Sequence, residues 1–439
     1  MTFKYIELFA GIGGFRQALD NAGGECVFAS EIDKFAQQAY SALYGDDHLH
    51  GDITQIDEKD VPDHDVLVGG FPCQAFSVAG KRLGFADETR GTLFFEIVRI
   101  MREKQPKIAV LENVKGLVGH DKGKTLDIVV TALNEIGYTV DFSVLNSKYF
   151  GVPQNRERIF IVAVRDDLVT PEAWRIEGTN VVAKGKRRIA QIDGVKTFNF
   201  EYPTQSDVTV RLLDILEDNV DERYYLSEEK TAKLVAQLEE REEDSDSDSP
   251  TMVGHAELRG NDSIKRVYSP VGDTPTLTAM GGGHREPKVA VQMNRHEIGR
   301  ETELSHCLMA RDYKGFGNQD MTGVMETRPV LTPDRAEKRQ NGRRFKDDGE
   351  KSFTLTAQDK HGVALGAYPR YRIRKLTPLE CWRLQGFSDL AHETVKAAGV
   401  SDSQRYKQAG NAVTVNVIDA LMPGLLRYLS ALPASSGAE

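Results

Sequence analysis

FKYIELFAGIGGFRQALDNAGGECVFASEID, residues 3–33, decides the fold. An apolar run, Tyr5–Phe9, enters a glycine-rich turn. The segment Phe15–Ala22 then spaces its apolar residues as a helix does, and a second apolar run, Cys26–Ser30, is closed by Glu31 and Asp33. Strand, tight turn, helix and strand in this order predict a parallel β-α-β unit. Further strand-like runs stand at Asp65–Val68, Ile108–Leu111, Thr139–Leu145 and Arg158–Val164, with helix-length amphipathic segments such as Lys34–Leu43 between most of them. Residues 1–165 therefore predict an α/β fold, a mostly parallel sheet with helices on both faces. Ligands of such sheets sit at the carboxyl ends of the strands, and the loops there read FAGIGG, SEID, GGFPCQ and ENV.

The 439 residues, 40% hydrophobic and 28% charged, suit a large domain with a smaller companion and exclude collagen-like, disordered and disulfide-framework classes. No run approaches the ~20 apolar residues of a membrane span, and the first residues lack an export pattern, so a cytoplasmic protein without a membrane partner is expected. Cys26, Cys73, Cys307 and Cys381 lie far apart with no C-x-x-C pair, which argues for neither a zinc site nor disulfides. The net charge of −10 argues at first against a nucleic-acid partner. Its distribution reverses that argument. Residues 1–250 carry −15, of which −11 falls on 201–250, whereas 251–376 carry +6 and 377–439 carry −1.

Beyond residue 165 the chain changes character. The basic cluster Lys184, Lys186, Arg187 and Arg188 marks the expected end of a first catalytic segment, 1–184. A helix capped by Ser227 is expected next, followed by the solvated run EEREEDSDSDSP. Three related stretches beginning Thr276-Leu277, Cys307-Leu308 and Thr354-Leu355 form a weak repeat. Its irregular spacing points to similar β-hairpins, and its basic balance raises a role in presenting loops to a ligand. Residues 185–373 are read as this smaller, irregular β-rich domain. Residues 374–439 return, with Thr377 capping a helix that begins at Pro378, then a Gly410-Asn411 turn and a final apolar helix seeking a face on the N-terminal sheet.

Several loop residues carry chemistry. Glycines after the first strand let backbone amides approach a ligand, and Glu31 at the end of the second can hold ribose hydroxyls; a nicotinamide dinucleotide makes the same demands. Cys73, on a loop at a strand's carboxyl end, is a candidate nucleophile, although a lone cysteine is more often a small buried apolar group. Lys81 and Arg82 sit on the glycine-punctuated loop after it. Glu112 ends an apolar strand, where burial raises a carboxyl pKa and prepares a proton donor; a structural ion pair is the alternative. Arg156 and Arg158 share one side of an extended run and can bind a phosphate or orient a carbonyl, or make surface ion pairs.

Together these residues resemble the cytosine-C5 DNA methyltransferases of bacterial restriction–modification type. The resemblance rests on LFAGIGGF (8–15), EID (31–33), GDI (51–53), GGFPCQAFS (69–77), RGTLFFEI (90–97), ENV (112–114), VPQNRERIFIV (152–162), LTPLECWRLQGF (376–387) and KQAGNAV (407–413), in family order. It implies an adenosylmethionine-dependent, Rossmann-like methyltransferase fold with S-adenosyl-L-methionine as cofactor. Phe9, Gly11, Gly13, Glu31, Ile32, Asp52, Leu93 and Asn411 would form the cofactor site; Ile32 stands where the family often has an aromatic residue. Cys73 would add to C6 of cytosine, Glu112 would hydrogen-bond at N3, Arg158 would contact the O2 side and Arg156 would stand near the active-site loop. The target base must leave the duplex, so residues 185–373 would read double-stranded DNA. Gln74, Ser77, Lys81, Arg82, Thr276 and Arg285 are the DNA-contact candidates. A monomer is expected, with a cognate restriction endonuclease as a possible functional partner and no metal. The competing readings are a tRNA cytosine methyltransferase, a dinucleotide-dependent oxidoreductase, which leaves PCQ and QNRER idle, and a catalytically silent DNA-binding module.

Overall fold

The first strand, turn and helix form where the sequence places them. In the computed structural model β1 (Phe3–Leu8) and β2 (Gly24–Ser30) pair in parallel, and α1 (Gly14–Asn21) connects them. The structure describes residues 2–72, 93–210, 213–225, 351–354 and 370–430 continuously, with shorter strand and turn segments between 227 and 367. The helix expected after Ser227, Cys73 with its loop, and most of the repeat lie outside the described residues.

The chain continues through α2 (Lys34–Tyr44), β3 (Leu49–His50), β4 (Val66–Gly70), α3 (Leu93–Lys104), β5 (Ile108–Val114), α4 (Lys124–Glu135), β6 (Tyr138–Asn146) and β7 (Glu157–Arg165). These strands form one sheet in the order β3-β2-β1-β4-β5-β7-β6. The first five run parallel, while β7 is antiparallel to both β5 and β6. The short connection between β6 and β7 holds only a 3-10 turn, Ser147–Tyr149, which is too little for a parallel crossover and closes a hairpin instead. Ile6, Leu8, Leu67, Leu111 and Ile161 share one core with apolar residues of α3 and α4. The alternate positions Tyr5, Val68, Val110 and Phe160 are equally buried and point to the opposite face.

The returning segment serves that second face. It forms α6 (Pro378–Arg383), α7 (Asp389–Ala397), α8 (Asp402–Asn411) and α9 (Val415–Leu429), numbered after α5 (Val181–Ile189). α6 begins with the capping box: the Thr377 hydroxyl accepts from the Glu380 amide at 3.2 Å, and the Glu380 carboxylate accepts from the Thr377 amide at 2.8 Å. α9 buries Ile418, Leu421, Met422 and Leu425 and packs against α1 and β5. Gly410 and Asn411 do not form the expected turn; they close α8, and the break falls at Ala412–Thr414. Among the described residues only Asp402–Leu429 has the length and composition of a membrane span, and half of its apolar window is buried inside the protein.

Two compact units result. The first comprises residues 1–217, 351–359 and 377–439; the second comprises 218–350 and 360–376. The boundary expected at 184 falls inside α5, whose Ile189 is buried in the main core. Two of its basic residues are ion-paired there, Lys186 to Asp141 at 2.5 Å and Arg188 to Asp127 at 3.0 Å. The chain then extends the sheet edge: Thr197 bridges Val140, and the Phe200 amide donates to Asp141 at 2.9 Å. The start of the third repeat copy also belongs to the first unit, since Ser352 bridges Gln154 and its amide donates to the Pro153 carbonyl at 2.8 Å. In the second unit the described elements are antiparallel β: β8 (Met252–His255) with β9 (Arg266–Tyr268), β10 (Val291–Met293) with β11 (Met321–Gly323), and β12 (Glu326–Leu331), β13 (His361–Ala367) and β14 (Arg370–Lys375) in one sheet.

Beneath the glycine-rich turn, Glu7 of β1 is fully buried. The Tyr40 hydroxyl donates to it at 3.1 Å and the Arg16 amide at 3.4 Å, yet burial raises its carboxyl from the ordinary 4.5 to about 8. The folded protein therefore holds a proton that the unfolded chain releases above about 4.5, so this contribution to stability is complete below that pH and declines until about 8. We predict that Glu7→Gln removes the decline. Its stability relative to the parent, followed by denaturant unfolding between pH 5 and 8, should rise by about 1.4 kcal/mol per pH unit.

Candidate active site

The carboxyl ends of β1, β2, β4 and β5 open onto one cavity of about 580 Å³ within the first unit. Its walls begin with the turn after β1, where Phe9 and Gly11 both lie at φ 57°. Gly13 lies at φ 81°, and a Cβ there would come within 2.4 Å of the Tyr44 ring, whose hydroxyl donates to the Gly13 carbonyl at 3.2 Å. A Cβ on Gly14 would come within 2.5 Å of the Val413 carbonyl, so this glycine admits the returning chain against α1. Glycine is required at both for close approach, and at Gly13 for backbone conformation as well. Gly13 thus shapes the turn from behind and is not among the residues lining the cavity.

The other residues proposed for the cofactor site do line it: Phe9, Gly11, Glu31, Ile32, Asp52, Leu93 and Asn411. The Glu31 carboxylate is oriented by two backbone amides, Gly11 to Oε2 and Asp33 to Oε1, each at 2.7 Å. Asp52 caps a 3-10 turn, accepting from the Thr54 amide at 3.0 Å and its hydroxyl at 2.8 Å. Ile32 is 72% exposed at the cavity, an apolar surface that stands open among the described residues. Apolar faces beside fixed carboxylates suit a ligand with an aromatic ring and hydroxyl or amino donors.

Glu112, Arg156 and Arg158 line the same cavity. Glu112 is 8% exposed, and its Oε1 lies 3.0 Å from Arg158 Nε. Burial raises the Glu112 carboxyl above the usual range, against the pull of Arg158 and then Arg156. Burial also lowers both guanidinium groups, which nonetheless remain charged at neutral pH. Arg156 is directed elsewhere than a free ligand-binding arginine: it donates to the Gly410 carbonyl at 3.3 Å and the Ala412 carbonyl at 2.9 Å, tying the return segment to the sheet. Its own amide donates to Asn146 at 3.1 Å. Asn113, the middle residue of ENV, donates to the Phe71 carbonyl at 2.8 Å and so anchors the chain two residues before Cys73.

Cys73, Gln74, Ser77, Lys81, Arg82, Thr276 and Arg285 lie outside the described residues. Sequence reasoning missed the contribution of α8 to the cavity beyond Asn411, namely Gln404, Lys407, Gln408 and Gly410. It also missed Asp33, which caps α2 through the Phe35 and Ala36 amides and pairs with Lys407 at 2.6 Å. Their spacing in QRYKQAGN carries only an ordinary helix signal. Among the described residues no group of three or more His, Cys, Asp or Glu side chains is arranged to hold a metal.

Comparison with known proteins gives this geometry a family. Residues 3–426 match the family described as C-5 cytosine-specific DNA methylase. The chain is 49% identical over 431 residues to "Orphan methyltransferase M.SPRI" of Bacillus phage SPR, covering 96% of this chain and 97% of that protein. It is 38% identical over 335 residues to "Type II methyltransferase M.HhaI" of Haemophilus parahaemolyticus, covering 74% of this chain and 92% of that one. A crystal structure of a DNMT2 mutant from Spodoptera frugiperda is similar in fold, with a TM-score of 0.51, 20% identity, and coverage of 96% of this chain and 99% of the other. The chain belongs to the C-5 cytosine-specific DNA methylase family.

Proposed function

We propose that this protein transfers a methyl group from S-adenosyl-L-methionine to C5 of a cytosine flipped out of duplex DNA, with Cys73 as the nucleophile. The carrying observation is the shared cavity: the buried Glu112–Arg158 pair and the Phe9, Glu31, Ile32 and Asp52 wall line one space, entered by the chain leading to Cys73 through Pro72. The cavity fits the cofactor, since exposed Ile32 and the oriented Glu31 carboxylate answer an adenosyl group. When bound, S-adenosyl-L-methionine supplies an electrophilic methyl group.

The Cys73 thiolate forms a bond to C6, and the C5–C6 electron pair shifts into the ring toward N3. Glu112, whose hold on a proton burial strengthens, donates there, while Arg158 holds the carboxyl in place and faces the O2 side. C5, made nucleophilic by that addition, would accept the methyl group supplied by S-adenosyl-L-methionine held at the Phe9, Glu31, Ile32 and Asp52 wall, with S-adenosyl-L-homocysteine as the leaving group. A base then removes the C5 proton, the C6–S bond breaks and the thiolate is released. The second unit, residues 218–350 and 360–376, is read as the part that recognises sequence, and the +6 on residues 251–376 supports that role. Relatives from Bacillus phages are named orphan methyltransferases, which favours an enzyme acting without a cognate endonuclease.

Bisulfite sequencing of DNA from cells expressing the chain should show methylated cytosines at one or a few sequences. Cys73→Ala should abolish them, and duplex DNA containing 5-fluorocytosine should trap the parent covalently, since the missing C5 proton blocks release. Methylation of tRNA with none on duplex DNA would select the competing substrate.

Loss of the Glu112 proton should slow the reaction as pH rises through its pKa. Arg158→Ala should reduce the single-turnover rate by about 10²–10³. Because Arg158 lowers the Glu112 pKa, the variant's remaining activity should also fall off at a higher pH than the parent's.

DNA affinity, despite the net charge of −10, should drop steeply between 50 and 200 mM salt, about tenfold or more in a filter-binding assay. A salt-independent affinity would argue against the basic segment as the binding surface.

A further inference from the structure

β5 leads out of the cavity onto a positively charged surface that the mechanism does not use. Val114 lines the cavity and is 42% exposed, and two 3-10 turns follow it, Lys115–Val118 and His120–Gly123. The second turn is conformationally costly. Asp121 and Lys122 lie at φ 47° and 56°, a left-handed region that residues with a side chain seldom adopt, and Gly123 follows at φ 94°. The turn displays Lys122, and Lys124 comes next as the first residue of α4; both are exposed. Their charges oppose the dipole of α4, so helix stability does not account for them.

α5 extends the same surface. Gly185 packs so closely on the first turn that a Cβ there would come within 3.0 Å of Val118, and the Arg188 guanidinium donates to the Gly123 carbonyl at 3.0 Å. Lys184 lies one helical turn before Arg187 and Arg188, so the three form one stripe beside Gly123. Lys184 and Arg187 are exposed. Arg188 is paired with Asp127, and Arg187 donates to the Gly178 carbonyl at 2.7 Å. Among the described residues, however, Lys122, Lys124, Lys184 and Arg187 form no ion pair, and the second turn sets one acid, Asp121, against them. Residues 1–250 carry −15 as a whole, so this cluster departs from the balance of its surroundings.

Like charges gathered without counter-charges repel one another, and a polyanion relieves that repulsion. We infer that Lys122, Lys124, Lys184 and Arg187 form a contact surface for the phosphate backbone of the duplex beside the flipped-out cytosine. A duplex whose base enters the cavity brings its backbone to the cavity mouth, and the surface begins where Val114 leaves it. Phosphate contacts of this kind hold a duplex in position without reading its bases. The inference rests on duplex DNA as the substrate and adds a binding surface on the first unit.

The test is a filter-binding titration of the full chain on a duplex of about 30 base pairs over a range of salt. Lys122→Gln with Lys124→Gln, and separately Lys184→Gln with Arg187→Gln, each remove two charges from exposed positions. Each pair should weaken binding about tenfold at about 100 mM salt and lower the slope of log affinity against log salt by about one to two, whatever the duplex sequence. Lys4→Gln with Lys59→Gln makes the same charge change at the amino ends of β1 and β4 and should stay within about twofold of the parent. If one pair unfolds, as judged by thermal melting, the other decides. Folded variants that keep the parent's affinity and salt slope would overturn the inference. So would equal weakening by the Lys4 and Lys59 control, or a loss confined to tRNA, which would assign the surface to the competing substrate. Failure of the parent protein to bind duplex DNA would instead overturn the substrate reading itself.

Discussion

The buried Arg156 guanidinium joins parts of the chain about 250 residues apart, and the cavity depends on that junction. Its donors reach the carbonyls of Gly410 and Ala412, where α8 ends, while its backbone is held by Asn146 at the end of β6. Backbone carbonyls at a helix end need donors, and a charged guanidinium is a strong one in low dielectric. Without the junction the sheet would present an open edge of loops. With it, α8 forms a wall, and Lys407 and Gln408 complete the closure by engaging Asp33 and Phe35. The catalytic unit is therefore assembled from both ends of the chain, and the second unit lies between them in sequence.

Within that enclosure the charges suit the proposed chemistry, in which a ring becomes electron-rich. Two guanidinium groups accompany one carboxyl, and burial favours its protonated form. Arg158 pulls the other way and so limits how far the Glu112 pKa rises. Such opposition keeps a group near a working pKa. Glu7 shows the same opposition elsewhere: burial raises its carboxyl to about 8 against the Tyr40 hydrogen bond and the nearby Arg16 charge.

Much of this was legible in the primary structure. The Thr377–Glu380 box reads directly as a helix start because its two hydrogen bonds are local. β2, which stops just before Glu31, and β5, which carries Glu112, read as strands because each holds an apolar run, Cys26–Ala29 and Ile108–Leu111, in a sheet covered on both faces. Two-residue β3 was not legible, since its pairing with Ala29 and Ser30 comes from its neighbour and not from its own composition. The basic cluster near residue 186 looked like the start of a new domain because charge in sequence does not reveal its partner. Asp141, one strand away, accounts for Lys186. The Gly410-Asn411 pair resembles a turn in isolation; packing continues α8 through it.

The sequence by itself determined the α/β class, the order of the elements and the family, because local hydrogen bonding, apolar periodicity and short motifs are encoded within a few residues of one another. Only the tertiary structure decided that Arg156 is a structural clamp beside an acid–guanidinium pair, that residues 185–217 and 351–359 belong to the first unit, and that α8 supplies a wall of the cavity. Those outcomes depend on which distant groups burial brings together.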